Sequence, residues 1–429
     1  MKNKAGFGST DYVKITILGF ALSALWQSLH TIILPLRLLD FVAESQKNTY
    51  LGMLTFAGLI LAMLAQPIAG LISDRSGFSW GRRRPFVLAG ATLLILLLPG
   101  IGLAGSYAIL FTTYCLLQVS SNTAQGPYQG FIPDLVPEGK RGRASGVKTL
   151  LEIVGGATTV LILGIFMDRY AAGEGSGWLW LTLGILGTVL LIVTVATVVM
   201  VKEQPSVGGF KLSVLPTLWQ SFKIDLSANC DFIWFLASRL FIFMAFATIQ
   251  QFTLYFLRDV VGVADPAAAT ARFLILAVVG MLTVVYPAGR LSDRIGRKPI
   301  AISAGLLGAT AIAIIFFSHS YIAILVAGGI IGIAIGAFMS TNWALATDLV
   351  AKGEEARYLG LANMATAGGA ALARLIGPVI DFFNAQSAGL GYQVMLGASF
   401  FYFVAGALLL LKIKGQRNQG SAAQHPTPT

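Results

Sequence analysis

Twelve apolar stretches of roughly twenty residues or more, separated by short polar connections, constrain this chain more than any other feature. They cover 13–37, 50–72, 85–105, 107–131, 147–167, 178–201, 231–257, 271–290, 299–317, 321–346, 358–383 and 390–412. The hydrocarbon core of a bilayer is roughly 30 Å thick, so a helix needs about 20 apolar residues to cross it. Within lipid, a backbone that satisfies its own hydrogen bonds segment by segment is helical. Composition agrees: 56% of the residues are hydrophobic, 11% are charged, and mean hydropathy is +0.76. Water could not solvate that much apolar surface in a chain of 429 residues, so lipid must be the solvent. The expected fold class is an all-α membrane protein with twelve transmembrane helices.

The net charge of +11 is distributed by topology. Of the 30 Lys and Arg, 23 fall in the two terminal segments and in the loops after helices 2, 4, 6, 8 and 10. The opposite loops hold few, such as Lys47 and Arg169. This positive-inside pattern predicts a multi-pass protein of the cell inner (plasma) membrane with both termini cytoplasmic. It also accounts for the basic charge without nucleic acid as a partner. Cys115 and Cys230 offer neither a disulfide framework nor metal-ligand spacing. The first twelve residues are polar and the first apolar run is long enough to span, so no cleavable signal is expected.

One phrase occurs twice. Gly70-Leu71-Ile72-Ser73-Asp74-Arg75 leads to Gly81-Arg82-Arg83-Arg84-Pro85, and Gly289-Arg290-Leu291-Ser292-Asp293-Arg294 leads to Gly296-Arg297-Lys298-Pro299. Asp40 with Asp259, Gly70 with Gly289 and Asp74 with Asp293 share a separation of 219 residues. Beyond the loop, Pro85 with Pro299, Asp134 with Asp348, Arg143 with Arg357 and Gly146 with Gly360 share 214. The first copy is therefore five residues longer, within Ser76–Trp80. The chain reads as a six-helix lobe over 1–201, a central cytoplasmic loop over 202–230, a second six-helix lobe over 231–414 and a disordered tail over 415–429.

The duplicated loops resemble the signature loop of the major facilitator superfamily. The first copy, from Ser73 to Val87, is similar to the longer S-D-x-x-x-S-x-x-G-R-R-R-P-F-[IV] form of plant sucrose transporters and their animal relatives. Those belong with the glycoside–pentoside–hexuronide cation symporters. The resemblance implies a secondary transporter that moves a small polar solute, a sugar or glycoside, by alternating access. It further implies H+ or Na+ as coupling ion, no other cofactor, and a monomer in the lipid bilayer. Proton-coupled efflux of drugs or metabolites on the same fold is the alternative. The Pro-x-x-x-Gly-Pro pattern of drug antiporters is absent from 147–167, and no acid lies low in helix 1 or 4 to support efflux.

The resemblance also assigns the loops a gating role. Asp74 with Arg75 and Arg82, Asp293 with Arg297, Asp134 with Arg143, and Asp348 with Arg357 form four acid–base sets expected at the cytoplasmic gate. Arg83 and Arg84 read equally well as loop anchors to lipid headgroups.

Polar side chains within spans mark pathways, because lipid tolerates them only facing protein or water. Gln118, Asn122, Gln125 and Gln129 lie on one face of helix 4, as cavity lining or as amide glue between helices. The resemblance places helices 1, 4, 7 and 10 around the central cavity. Helix 1 adds Trp26, Gln27 and His30. Helix 7 adds Arg239 and Gln250 on one face, and helix 10 adds Asn342 and Trp343. Trp26 can stack on a sugar or simply pack, and Arg239 can line the cavity or snorkel. His30 and Glu152 are the proton-coupling candidates. For His30 the rival reading is a packing histidine, and for Glu152 an ion pair with Lys148 one turn earlier. His30, His319 and His425 are too scattered for a catalytic or metal constellation, so no enzyme is expected.

Overall fold

The computed structural model describes residues 8–203, 230–318, 320–349 and 355–413. Most of the expected central loop and all of the tail over 415–429 lie outside the described residues. A short helix, Ser9–Thr16, leads into α1 (Leu18–Leu38). There follow α2 (Glu44–Asp74), α3 (Arg84–Leu103), α4 (Tyr107–Gln129), α5 (Glu138–Ala171) and α6 (Gly177–Met200). The second set is α7 (Cys230–Val261), α8 (Pro266–Ile295), α9 (Arg297–Phe317), α10 (Tyr321–Ala346), α11 (Gly360–Asn384) and α12 (Leu390–Lys412). Among the described residues, eleven of these are long and apolar enough to cross a bilayer outright. The twelfth, α4, has 23 residues, and its four amides dilute its apolarity.

Large apolar side chains such as Leu96, Leu103, Phe317 and Ile322 point outward, more than two-thirds exposed, as a lipid-facing surface requires. Inside, helices approach through small residues, since lipid removes most of the hydrophobic drive for helix association and leaves close packing to hold them. α4 meets α2 where Gly126 lies against the Gln66 carbonyl, and α10 meets α8 where Gly332 lies against the Ala277 carbonyl. α5 meets α1 where Gly155 lies against the Phe20 carbonyl, and α11 meets α7 where Gly369 lies against the Leu240 carbonyl. These equivalent pairs build two six-helix lobes, which touch along α5 with α8 and along α2 with α11.

Close approach at Gly332 leaves no room for a methyl group, whereas Gly397 faces open space. Gly332→Ala should lower stability by about 1–3 kcal/mol through overpacking, while Gly397→Ala should stay within about 0.5 kcal/mol. Thermal unfolding of the two purified variants in one detergent measures the difference.

Candidate transport cavity

The phrase written twice anchors each lobe to itself. In the first lobe Arg83 is the hub, although it is flanked by two other arginines. Its guanidinium holds Asp74 at 2.8 Å and Asp134 at 2.5 Å, and Arg82 reaches Asp134 at 2.7 Å. The Glu203 carboxylate accepts from the Arg83 and Arg84 amides at 3.0 and 2.8 Å, capping the start of α3. Arg84 donates to the Val198 carbonyl at the end of α6. The second lobe repeats this plan without the extra residues. Arg297, equivalent to Arg83, donates to the Ala344 carbonyl of α10, and Lys298 donates to Leu411 and Ile413 carbonyls at 3.0 and 2.7 Å. Gly81 and Gly296 turn the chain before these cations, with φ of 122° and 98°.

The acid–base sets expected at the gate are therefore placed unequally. Asp74, Arg82 and Asp134 are tied together within the first lobe through Arg83. Arg75 is half-buried, and Arg143 and Asp293 are exposed. The side chains of Asp348 and Arg357 lie outside the described residues.

The opposite end of the molecule, here the far end, is where the lobes are cross-linked. Lys47 pairs with Asp259 at 2.6 Å, Arg258 with Glu44 at 2.6 Å, and the Tyr255 hydroxyl donates to the Pro35 carbonyl at 2.7 Å. Between the two ends lies a cavity of about 220 Å³. Its polar wall carries Ser23 and Gln27 of α1, Thr149 and Glu152 of α5, and Gln250 of α7. The facing wall, from α8 and α10, is apolar and includes Leu274, Met281 and Ile335. Gln250 donates across the lobe boundary to Gln27 at 3.3 Å.

Three of the residues picked out from sequence thus meet at one place: Gln27, Gln250 and Glu152. Glu152 also stands 3.6 Å from Lys148, so it pairs within α5 while facing the cavity. The walls differ from the expected helices 1, 4, 7 and 10, because α5 stands where α4 was expected and α8 joins. Gly155 and Gly156 let α5 press against Phe20 and Gln27 of α1, which carries Thr149 and Glu152 inward.

Two of the four α4 amides, Gln118 and Asn122, turn into the lobe. Gln118 donates to the Tyr114 hydroxyl at 2.8 Å, and Asn122 donates to the Gln118 carbonyl at 2.8 Å. Gln125 is half-buried and Gln129 exposed, and neither lines this cavity. His30 sits on a widened π-turn of α1, with Nε2 2.8 Å from the Tyr114 hydroxyl, and Trp26 donates to Ser121 at 2.8 Å. Both pack against α4 beside the cavity instead of lining it. Arg239 is buried in the second lobe. It bonds Thr366 at 2.7 Å and the Asn342 amide oxygen, and its guanidinium lies 4.6 Å from the Trp343 ring centre. By the repeat register, Arg239, Asn342 and Thr366 occupy the places of Phe20, Tyr128 and Glu152. The charged groups of the two lobes thus stand at different positions of the repeat.

The profile of the family described as "MFS/sugar transport protein" matches residues 16–413. The chain belongs to this family. Over 166 residues it is 33% identical to proton-associated sugar transporter A of Homo sapiens, covering 35% of this chain and 22% of that protein. Over 143 residues it is 30% identical to sucrose transport protein SUT1 of Oryza sativa subsp. japonica, covering 28% and 25%. Each match spans about a quarter or less of the relative's length. Among solved structures, a D-xylose-proton symporter superposes with TM-score 0.72 at 16% identity, over 95% of this chain and 98% of that one. A bacterial homolog of the human lysosomal transporter Spinster, inward-facing and occupied, gives 0.71 at 18%, over 94% and 96%. These two show the same fold. The family and these relatives are transporters, not enzymes.

Burial raises the Asp134 carboxyl, but the hydrogen bonds from Arg83 and Arg82 outweigh it and hold it below the usual carboxylate range. Such a group contributes stability above its unfolded pKa and loses it as pH falls through the lower folded value. The destabilisation by Asp134→Asn should therefore be constant from pH 8 to 5 and shrink below about pH 4. Thermal unfolding of variant and parent across that range measures it.

Proposed function

We propose that this protein is a secondary transporter that moves a sugar or glycoside by alternating access, coupled to a proton through Glu152. The observation that carries the reading is the convergence of Gln27, Gln250, Ser23 and Thr149 around a single carboxylate at the lobe boundary. Amides and hydroxyls both donate and accept, which suits a ligand of many hydroxyls. The apolar wall opposite suits the C–H face of a sugar ring. A proton is favoured over Na+ because relatives of sequence and fold bear the names of proton-associated and proton-symport sugar carriers. The same relatives favour sugar symport over efflux.

In this reading the far end faces outward and the hinge-loop end faces the cytoplasm, as the positive-inside rule places them. The protein is a multi-pass component of the cell inner membrane, with both termini cytoplasmic. It acts as a monomer, since one chain encloses the cavity. With the far end tied shut, the cavity belongs to an inward-facing state. The acid–base sets on the hinge loops, Asp74 and Asp293 foremost, act when the cytoplasmic end closes. In the present state Asp74 and Asp134 are tied within the first lobe by Arg82 and Arg83.

Reconstituted vesicles with an imposed pH gradient test the assignment with radiolabelled sugars. Glu152→Gln should reduce gradient-driven uptake by about tenfold or more, the scale of a typical coupling energy. Sugar exchange at equal pH should be largely kept. Gln27→Ala and Gln250→Ala should each raise KM about three- to tenfold, the value of one net hydrogen bond. Undiminished gradient-driven uptake by Glu152→Gln would remove Glu152 from the coupling role.

A further inference from the structure

A Gly-x-x-x-Asp spacing near the end of a helix recurs in the two lobes and closes the far end. Gly164-Ile165-Phe166-Met167-Asp168 ends α5, and Gly377-Pro378-Val379-Ile380-Asp381 ends α11. Gly164 lies against the backbone of Ala267 at the start of α8, where a Cβ would stand 3.2 Å from the carbonyl oxygen. Gly377 lies still closer to the carbonyl of Asn48 at the start of α2. One turn later, the Asp168 carboxylate accepts from the Ala267 and Ala268 amides, both at 2.8 Å. Asp381 accepts from the Thr49 amide at 2.6 Å and from the Asn48 side chain at 2.8 Å. Ala267 and Ala268 match Asn48 and Thr49 at the separation of 219 that relates the first parts of the lobes.

The two segments themselves are 213 residues apart, one fewer than the 214 that governs earlier positions. The reason is local. α11 tightens into a 3₁₀ turn over Ala373–Ile376, where each residue rises about 2.0 Å instead of about 1.5 Å. Four such residues gain roughly one residue of height, so the carboxylate reaches the same level with one residue fewer. Two lobes with different local backbones therefore arrive at the same contact.

We propose that Asp168 and Asp381 are a pair of gating residues, related by the repeat, that hold the far end shut by charge–dipole contact with the opposite lobe. Each carboxylate accepts from first-turn backbone amides of a helix start that have no partner within the helix, two for Asp168 and one for Asp381, where the helix dipole favours negative charge. Each glycine lets the backbones come close enough for the aspartate to reach. Both contacts cross the lobe boundary, so both must break for the far end to open. The surrounding Lys47–Asp259 and Glu44–Arg258 pairs cross the same boundary on the α2 side, and among the described residues they have no counterpart of this form at α5 and α8. The proposal concerns the conformational equilibrium and rests on the transporter reading, not on the identity of the solute.

Spin labels at Ala172→Cys and Ser387→Cys, one on each lobe at the far end, with Cys115 and Cys230 replaced by Ser, report that equilibrium by electron–electron distance in lipid nanodiscs. The parent should show mainly the short distance. Asp168→Asn and Asp381→Asn should each raise the ratio of long to short distances roughly tenfold, as loss of a charged hydrogen bond implies. The double variant should raise it further. Asparagine is nearly isosteric with aspartate, and either single variant suffices if the double one does not express. A distance distribution unchanged in the folded, monodisperse variants would overturn the proposal. Because this readout needs no substrate, failure of the sugar assignment would appear only in the uptake assays.

Discussion

Lipid cannot hydrogen-bond, and this governs how the polar side chains of the spans around the cavity are placed. An amide or hydroxyl in a span must find a partner in protein or face a water-filled space. Gln118, Asn122, Tyr114 and His30 take the first course and bond one another inside the first lobe. Gln27, Gln250 and Glu152 take the second and meet at the lobe boundary. The same rule explains Arg239, whose guanidinium is satisfied by Thr366, Asn342 and the faces of Phe243 and Trp343.

Duplication determines where these groups can sit. A repeat about an axis along the membrane normal preserves depth, so equivalent residues lie at equal heights. The hinge loops use this to fasten both lobes alike, through Arg83 and Arg297 to α4 and α10, and through Arg84 and Lys298 to the ends of α6 and α12. At the cavity the sequences have diverged: Glu152 and Thr366 share a position, as do Phe20 and Arg239. The scaffold kept its symmetry while the pathway between the lobes lost it.

The spans, the repeat and its two separations were legible in the sequence because apolar length and residue spacing express them directly. Gln27, Gln250 and Glu152 were legible as polar groups in apolar runs. The walls of the cavity were not, because α5 and α8 approach through glycine and alanine, which carry no polar signal. The α4 stripe was seen as one face, but periodicity does not say whether a face turns to a cavity or into its own lobe. Arg83 was hidden between two arginines of the same charge. Asp168 and Asp381 were hidden by the single-residue shift that the 3₁₀ turn of α11 introduces.

Charge movement on solute binding tests the central claim most directly. Proteoliposomes adsorbed on a solid-supported membrane, at equal pH on both sides, would be given concentration jumps of neutral sugars and glycosides. A saturable positive current into the vesicles, evoked by such a solute, is the predicted result, because the proposed symport moves a proton with each neutral molecule. Solute uptake without any current, or current evoked only by lipophilic cations, would contradict it.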